Sequence, residues 1–199
     1  MMKIRLIAVC CLFGVGGIMV SAQTGSTMSG PAAGTTATPA TAYDAQLSVI
    51  EYEMMGAVKA MPADKFSFAP SQAIFVPAQK TEFATVRTFG QEATHVAQAN
   101  YFFYGTVSGL KPDVDVAALA KLTNKDDIVA ALAASFAFAH KAIATLTPSN
   151  AFEVVKLQIP GVWTRGTVAA FGVSHAFDHY GQMVEYLRMN GIVPPASAK

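Results

Sequence analysis

Two histidines in the C-terminal part of the chain, His175 and His179, stand four residues apart in a helical pattern. Residues at this spacing lie on one face of an α-helix, so both imidazoles project from the same side. A third histidine, His95, lies in an earlier helical stretch. Imidazole nitrogens are common ligands of divalent transition metals, and three of them leave a coordination position open. The three histidines therefore predict a metal site between two packed helices.

The polar residues near the three histidines indicate which kind of metal site to expect. Glu92 and His95 form Glu-x-x-His, which is half of a di-iron motif, but the last helix has no matching Glu-x-x-His. We therefore reject a dinuclear carboxylate site. Asp178 could complete a site of two histidines and one carboxylate, but its position beside His179 favours a partner of a ligand or a surface acid. Together with Asp178 and Glu92, Gln182 is a candidate helper without an assigned role.

The rest of the sequence gives no sign of phosphate binding or of nucleophilic catalysis. His140 lies beside Lys141 in another helical stretch, and we interpret it as lying outside the site. The chain contains no glycine-rich phosphate loop and no recognisable nucleophile motif. Metal binding is thus the chemistry that the sequence favours.

Residues 1–22 have the three parts of a secretory signal peptide. Lys3 and Arg5 make a short basic start, residues 6–20 are mostly apolar, and small side chains precede a polar stretch. We expect cleavage after Ala22 and an exported, periplasmic or extracellular protein. The alternative is an uncleaved anchor, but a membrane-spanning helix needs about 20 apolar residues and three glycines weaken this one.

Cleavage would change the composition of the mature protein. Cys10 and Cys11 both lie before Ala22, so the mature chain would lack disulfides, thiolate ligands and a cysteine nucleophile. Loss of Lys3 and Arg5 from the 14 basic residues leaves twelve against 13 acidic ones. No lysine and arginine cluster is present, so we expect no nucleic-acid partner and no binding to an anionic membrane surface. Once the signal peptide is removed, we also expect no stable membrane insertion.

Helical periodicity begins after a leader rich in Thr, Ser, Ala and Pro, which we predict to be flexible over 23–42. The first helix is predicted over 43–61 and the second over about 85–108, with a long crossover between them. The third should begin after a cap at Asn124 and end before Pro148.

The last part of the domain contains an extended segment and the fourth helix. Residues 150–163 are predicted to be extended, and Thr164 should cap a helix over about 165–190. The predicted fold is therefore all-α, a four-helix bundle with long crossover connections over 43–195, followed by a tail at 196–199.

The region around the histidine pair also carries a family pattern. In residues 174–182, His-x3-His is followed closely by Gly-Gln, and Leu-Arg, Gly191 and two prolines come next. This stretch resembles the C-terminal signature of the DinB-like proteins. His95 stands where that family carries its third ligand. Tyr180 occupies a position that is often Arg in the family, which leaves the histidines intact.

The resemblance covers roughly 43–195 and implies a four-helix bundle with one divalent metal held by His95, His175 and His179. It implies zinc or nickel first, with iron or manganese as alternatives, and a homodimer. The implied activity is that of a metal-dependent hydrolase or transferase on an unidentified small molecule, with water in the open position. Some relatives use a small cellular thiol as cosubstrate. Because an exported protein would find little of that thiol, we rank thiol-dependent transfer below a hydrolase-like or binding role. The alternative is a non-catalytic metal-binding or dimerising helical module.

Overall fold

The computed structural model describes residues 32–74, 82 and 85–198. The predicted signal peptide and its cleavage point at Ala22 lie outside these residues. Residues 32–35 form a turn in which the N–H of Thr35 donates to the carbonyl of Ala32 at 3.1 Å. From Thr36 onward the chain forms one compact unit.

Four long helices make up this unit, in agreement with the predicted all-α bundle. They are α1 (Pro39–Ala60), α2 (Phe89–Ser108), α3 (Lys125–Ile143) and α4 (Arg165–Met189). Two short strands, β1 (Val154–Val155) and β2 (Trp163–Thr164), pair antiparallel with Val154 opposite Thr164. Short 3₁₀ helices occur at Ala63–Lys65, Gln72–Ile74, Ala117–Lys121 and Pro195–Ser197.

Side-chain caps begin the helices and explain several of their bounds. Asn124 accepts from the N–H groups of Asp126 and Asp127, and Thr164 forms a capping box, so both predicted caps are confirmed. The side chain of Thr38 caps α1 by accepting from the N–H of Thr41, and a proline follows it at the first helical position.

Two predicted helix starts were wrong, and the predicted extended segment contains few strand residues. The first helix begins at Pro39 rather than at residue 43, so residues 39–42 are helical instead of belonging to the leader. The second begins at Phe89, because Thr88 is its cap and Thr85 has a positive φ of 71°. Of the predicted extended segment, only the residues of β1 and the first residue of β2 are in strands. A 3₁₀ helix includes two residues of the predicted tail.

The packing order of the helices decides which faces meet. α2 contacts both α3 and α4, and α1 contacts the same two helices. The largest fully buried side chains between them are Tyr104, Phe89, Phe136, Leu47, Ile50, Met54, Ile128, Leu132, Ile143, Met183 and Leu187. This arrangement places the histidine face of α4 directly against α2. Among the described residues, no helix is long and apolar enough to cross a membrane.

Candidate metal centre

The contact between α2 and α4 brings the three predicted histidines together. One ring nitrogen from each of His95, His175 and His179 lies within 4.8 Å of those from the other two. The ring centroids of His95 and His179 are 4.6 Å apart, and those of His175 and His179 are 4.5 Å apart. The predicted convergence of imidazoles from the second and fourth helices is therefore confirmed.

A glycine allows the two helices to approach closely beside this cluster. Gly172 lies one turn before His175 on α4, and a Cβ atom there would lie 2.9 Å from Cζ and Oη of the buried Tyr104 on α2. A methyl group at that distance overlaps the ring. The absence of a side chain at Gly172 thus helps to set the separation at which the histidines meet.

Glu92 gives the cluster a buried carboxyl partner. Its Oε2 lies 2.6 Å from Nδ1 of His179, and the residue is only 1% exposed. Since a carboxylate oxygen accepts hydrogen bonds, the Nδ1–H of His179 donates and its Nε2 keeps the lone pair. Histidines that bind metals commonly donate their second ring nitrogen to a carboxylate in this way. The nitrogen of His179 that faces the other histidines is thus the one available to a metal.

The separation of two ring nitrogens provides a test of fit. Nε2 of His179 lies 3.2 Å from Nε2 of His175. Two nitrogens bound tetrahedrally to one ion at 2.0–2.1 Å would be about 3.4 Å apart. The observed distance therefore fits two ligands of a single small divalent cation.

Aromatic side chains pack beside the ring of His175. Phe103 on α2 and Phe171 on α4 have ring centroids 5.3 and 6.4 Å from the His175 ring, and Trp163 packs on Phe171 at 5.1 Å. These rings exclude water from one side of the cluster. The site therefore has an apolar wall beside His175.

Burial is the main influence on the protonation of two of the histidines. It lowers the pKa of His95 to about 4, and the nearby positive charge of Arg87 acts in the same direction. Burial likewise lowers the pKa of His175 to about 4, with His179 and His95 contributing. Both rings are therefore neutral near pH 7 and can offer a lone pair to a cation.

A cavity of about 490 Å³ opens beside His95. It is lined by Thr85, Val86, Arg87, Gln91, Thr94, His95, Gln98 and Ala120. Nη1 of Arg87 lies 4.0 Å from Oε1 of the buried Glu92, so the guanidinium stands at the edge of the site. The candidate centre is thus accessible to a small molecule.

Other residues singled out in the sequence lie elsewhere. Asp178 is exposed and accepts a hydrogen bond from Nε2 of Gln182 at 3.3 Å, which agrees with a surface acid. His140 lies between Asp44 and Glu51, where α3 packs on α1, and is not in the three-histidine cluster. Glu92 was only a candidate helper in the sequence; its position three residues before His95, on the same helix face, is the signal that could have placed it at the site.

Comparison with known proteins agrees with the four-helix fold. Residues 46–183 match the family model described as the DinB superfamily. Among solved structures, the chain is similar to the crystal structure of a DinB-like protein from Bacillus cereus ATCC 10987, with a TM-score of 0.63 and 14% sequence identity. The match covers 77% of this chain and 93% of that one, which shows a common fold. No curated protein matches the chain.

Proposed function

We propose that this chain, which belongs to the DinB superfamily, binds one divalent metal ion through His95, His175 and His179. The convergence of three ring nitrogens within 4.8 Å is the observation that carries the proposal. Two of the rings are held neutral by burial, and the third has its Nδ1 proton held by Glu92. The residues present therefore fit the requirements of a metal with imidazole ligands.

A metal-dependent hydrolase or transferase is the function that this ligand set favours. A divalent ion held by three imidazoles keeps a position for water or a substrate atom and supplies Lewis acidity there. Around that position, Phe103 and Phe171 exclude water on one side, and the cavity beside His95 admits a small molecule on the other. Zinc or nickel is the proposed metal, with iron or manganese as alternatives, since imidazole serves several transition metals.

Export is a further part of the proposal and depends on the sequence alone. The basic, apolar and small-residue segments of residues 1–22 support removal of a signal peptide after Ala22. The mature protein would then work outside the cytoplasm, where cellular thiols are scarce. This favours hydrolysis or a thiol-independent transfer over a thiol-dependent one.

The second candidate is a non-catalytic metal-binding or dimerising module. It is favoured by the position of the three histidines, which would tie α2 to α4 through the metal, and by the hydrogen bond of Glu92 to His179 between the same helices. The two candidates differ in what the metal stabilises. A structural metal contributes directly to folding free energy, whereas a catalytic metal need not.

Metal content and stability, measured separately, test both candidates. Wild-type protein should take up one equivalent of zinc or nickel when the metal-free chain is titrated and assayed by elemental analysis. His175→Ala should lose the bound metal, and His140→Gln should retain it, because His140 lies outside the cluster. Metal loss with an unchanged melting temperature favours the catalytic candidate. Stoichiometric uptake of none among zinc, nickel, iron and manganese by the wild type would refute the metal site.

A further inference from the structure

We infer that the cavity beside His95 is the subsite for the carboxylate group of a small organic acid, which Arg87 and Gln91 hold. The remainder of that molecule would point toward the three-histidine centre, a part of the inference that rests on the proposed function. A volume of about 490 Å³ lies within the range of sites for small metabolites.

The charges around the cavity favour an anion. Among the lining side chains that the structure describes, Arg87 is the only one with a permanent charge, and none is acidic. The carboxyl group of Glu92 is buried and lies 4.0 Å from Nη1 of Arg87, which is too long for a hydrogen bond. With a divalent cation at the centre, Arg87 and the cation outweigh Glu92, so the local charge is positive.

Gln91 offers a neutral donor beside Arg87. Its Oε1 accepts from the backbone N–H of Thr88 at 2.9 Å as part of the capping box, which fixes the orientation of the amide. The Nε2 donor of Gln91 therefore points away from the N–H of Thr88. Gln98, in contrast, uses its Nε2 to donate to the carbonyl of Val116 at 2.9 Å.

The start of α2 argues for a planar carboxylate rather than a phosphate. Helix N-termini bind phosphates through unpaired backbone N–H groups. Here the N–H groups of Phe89 and Gly90 donate to the carbonyls of Phe68 and Phe66 at 2.8 and 2.9 Å. That of Gln91 donates to Oγ1 of Thr88. Arg87 offers a flat guanidinium fork and Gln91 an amide, and such a fork matches the two oxygens of a carboxylate.

Calorimetric titration of the full chain with glutarate and with the neutral glutaramide tests the inference. Arg87→Gln should weaken glutarate binding by about tenfold or more, since hydrogen bonds between charged groups contribute that much, and should leave glutaramide unaffected. Lys141→Gln is the matched control, because it removes the same charge from an exposed position on α3 outside the cavity lining. Glutarate binding that is equal in Arg87→Gln and wild type would overturn the inference.

Gln91→Glu provides a second, independent variant. Glutamate retains the capping-box acceptor for the N–H of Thr88 but replaces the amide donor with an acceptor oxygen, so glutarate should bind at least several-fold more weakly. Unchanged affinity in this variant, or inorganic phosphate binding as tightly as glutarate, would overturn the assignment to a carboxylate.

The failure of the subsite can be distinguished from the failure of the metal centre. Arg87→Gln should still take up one equivalent of metal, because Arg87 is not among the three histidine ligands. Normal metal uptake without Arg87-dependent glutarate binding would overturn the subsite alone. If the wild type takes up no metal, the proposed function fails, and titration of the metal-free chain still decides whether Arg87 binds glutarate.

Discussion

Oε2 of Glu92 and Nδ1 of His179 are 2.6 Å apart across the contact between α2 and α4, and both residues are buried. This hydrogen bond determines which nitrogen of His179 carries the proton and which one faces His175 and His95. It also joins the two helices that contribute the candidate ligands. The same residue pair therefore orients a candidate ligand and holds α2 against α4.

Loss of the Glu92 carboxylate should weaken metal binding without removing a ligand. We expect Glu92→Gln to reduce metal affinity by about tenfold or more, because carboxylate partners of ligating histidines typically contribute 10–100-fold. Competition against a chromophoric chelator measures this affinity. Glu185→Gln, at an exposed position of α4, should bind metal like the wild type. Equal affinity in both variants would show that the hydrogen bond does not support the ligand.

The close approach at Gly172 predicts opposite effects for two glycines of α4. Gly172→Ala would place Cβ 2.9 Å from the ring of Tyr104 and should destabilise the fold by about 1–3 kcal/mol. Gly181→Ala has no atom within 4 Å of its Cβ and should stabilise the helix by about 0.5–1 kcal/mol. Urea unfolding of the metal-free variants measures both. Destabilisation by the two changes alike would contradict the role of the contact with Tyr104.

The pH dependence of stability should reflect His140. Its Nδ1 lies 2.6 Å from Asp44 and its Nε2 lies 2.9 Å from Glu51. Burial lowers the pKa of His140, but the hydrogen bonds with these two carboxyl groups outweigh burial and raise it above 6.5. Because the folded-state pKa is raised, the stabilisation is fully present below the unfolded-state pKa near 6.5. It is lost as the pH rises through the folded-state value.

The comparison of wild type with His140→Gln at pH 6 and pH 9 isolates this effect. The variant should be destabilised more at pH 6, by about 1 kcal/mol or less, because the partners of His140 are partly exposed and screened by solvent. All other ionisable groups are common to both proteins and cancel in the difference. A destabilisation that is constant or grows with pH, measured by urea unfolding, would rule out the charged pairings.

Signal-peptide removal should be visible at the new N-terminus. Secretion of the full chain should give a mature protein that begins at Gln23, and intact mass spectrometry measures this directly. Ala22→Arg should block processing, because cleavage requires small residues beside the cut. A secreted protein that retains Met1 would contradict cleavage, whereas membrane-bound full-length chain would support the anchor.

Local sequence predicted the helices and part of the site for a clear reason. Helical periodicity and side-chain caps depend on residues within about four positions, so the four helices, the caps at Asn124 and Thr164, and the shared face of His175 and His179 could be inferred. The errors were also local. The caps at Thr38 and Thr88 set the starts of α1 and α2, and the predicted starts at 43 and 85 did not take these two residues into account.

The amino-acid sequence by itself determined which residue types are present and which helix face each one occupies. Only the tertiary structure decided their partners. Glu92 meets His179, His140 meets Asp44 and Glu51, and Arg87 borders the cavity beside His95 because particular helix faces pack together. Burial and pairing of ionisable groups depend on that packing between distant segments, and periodicity within one helix carries no information about it.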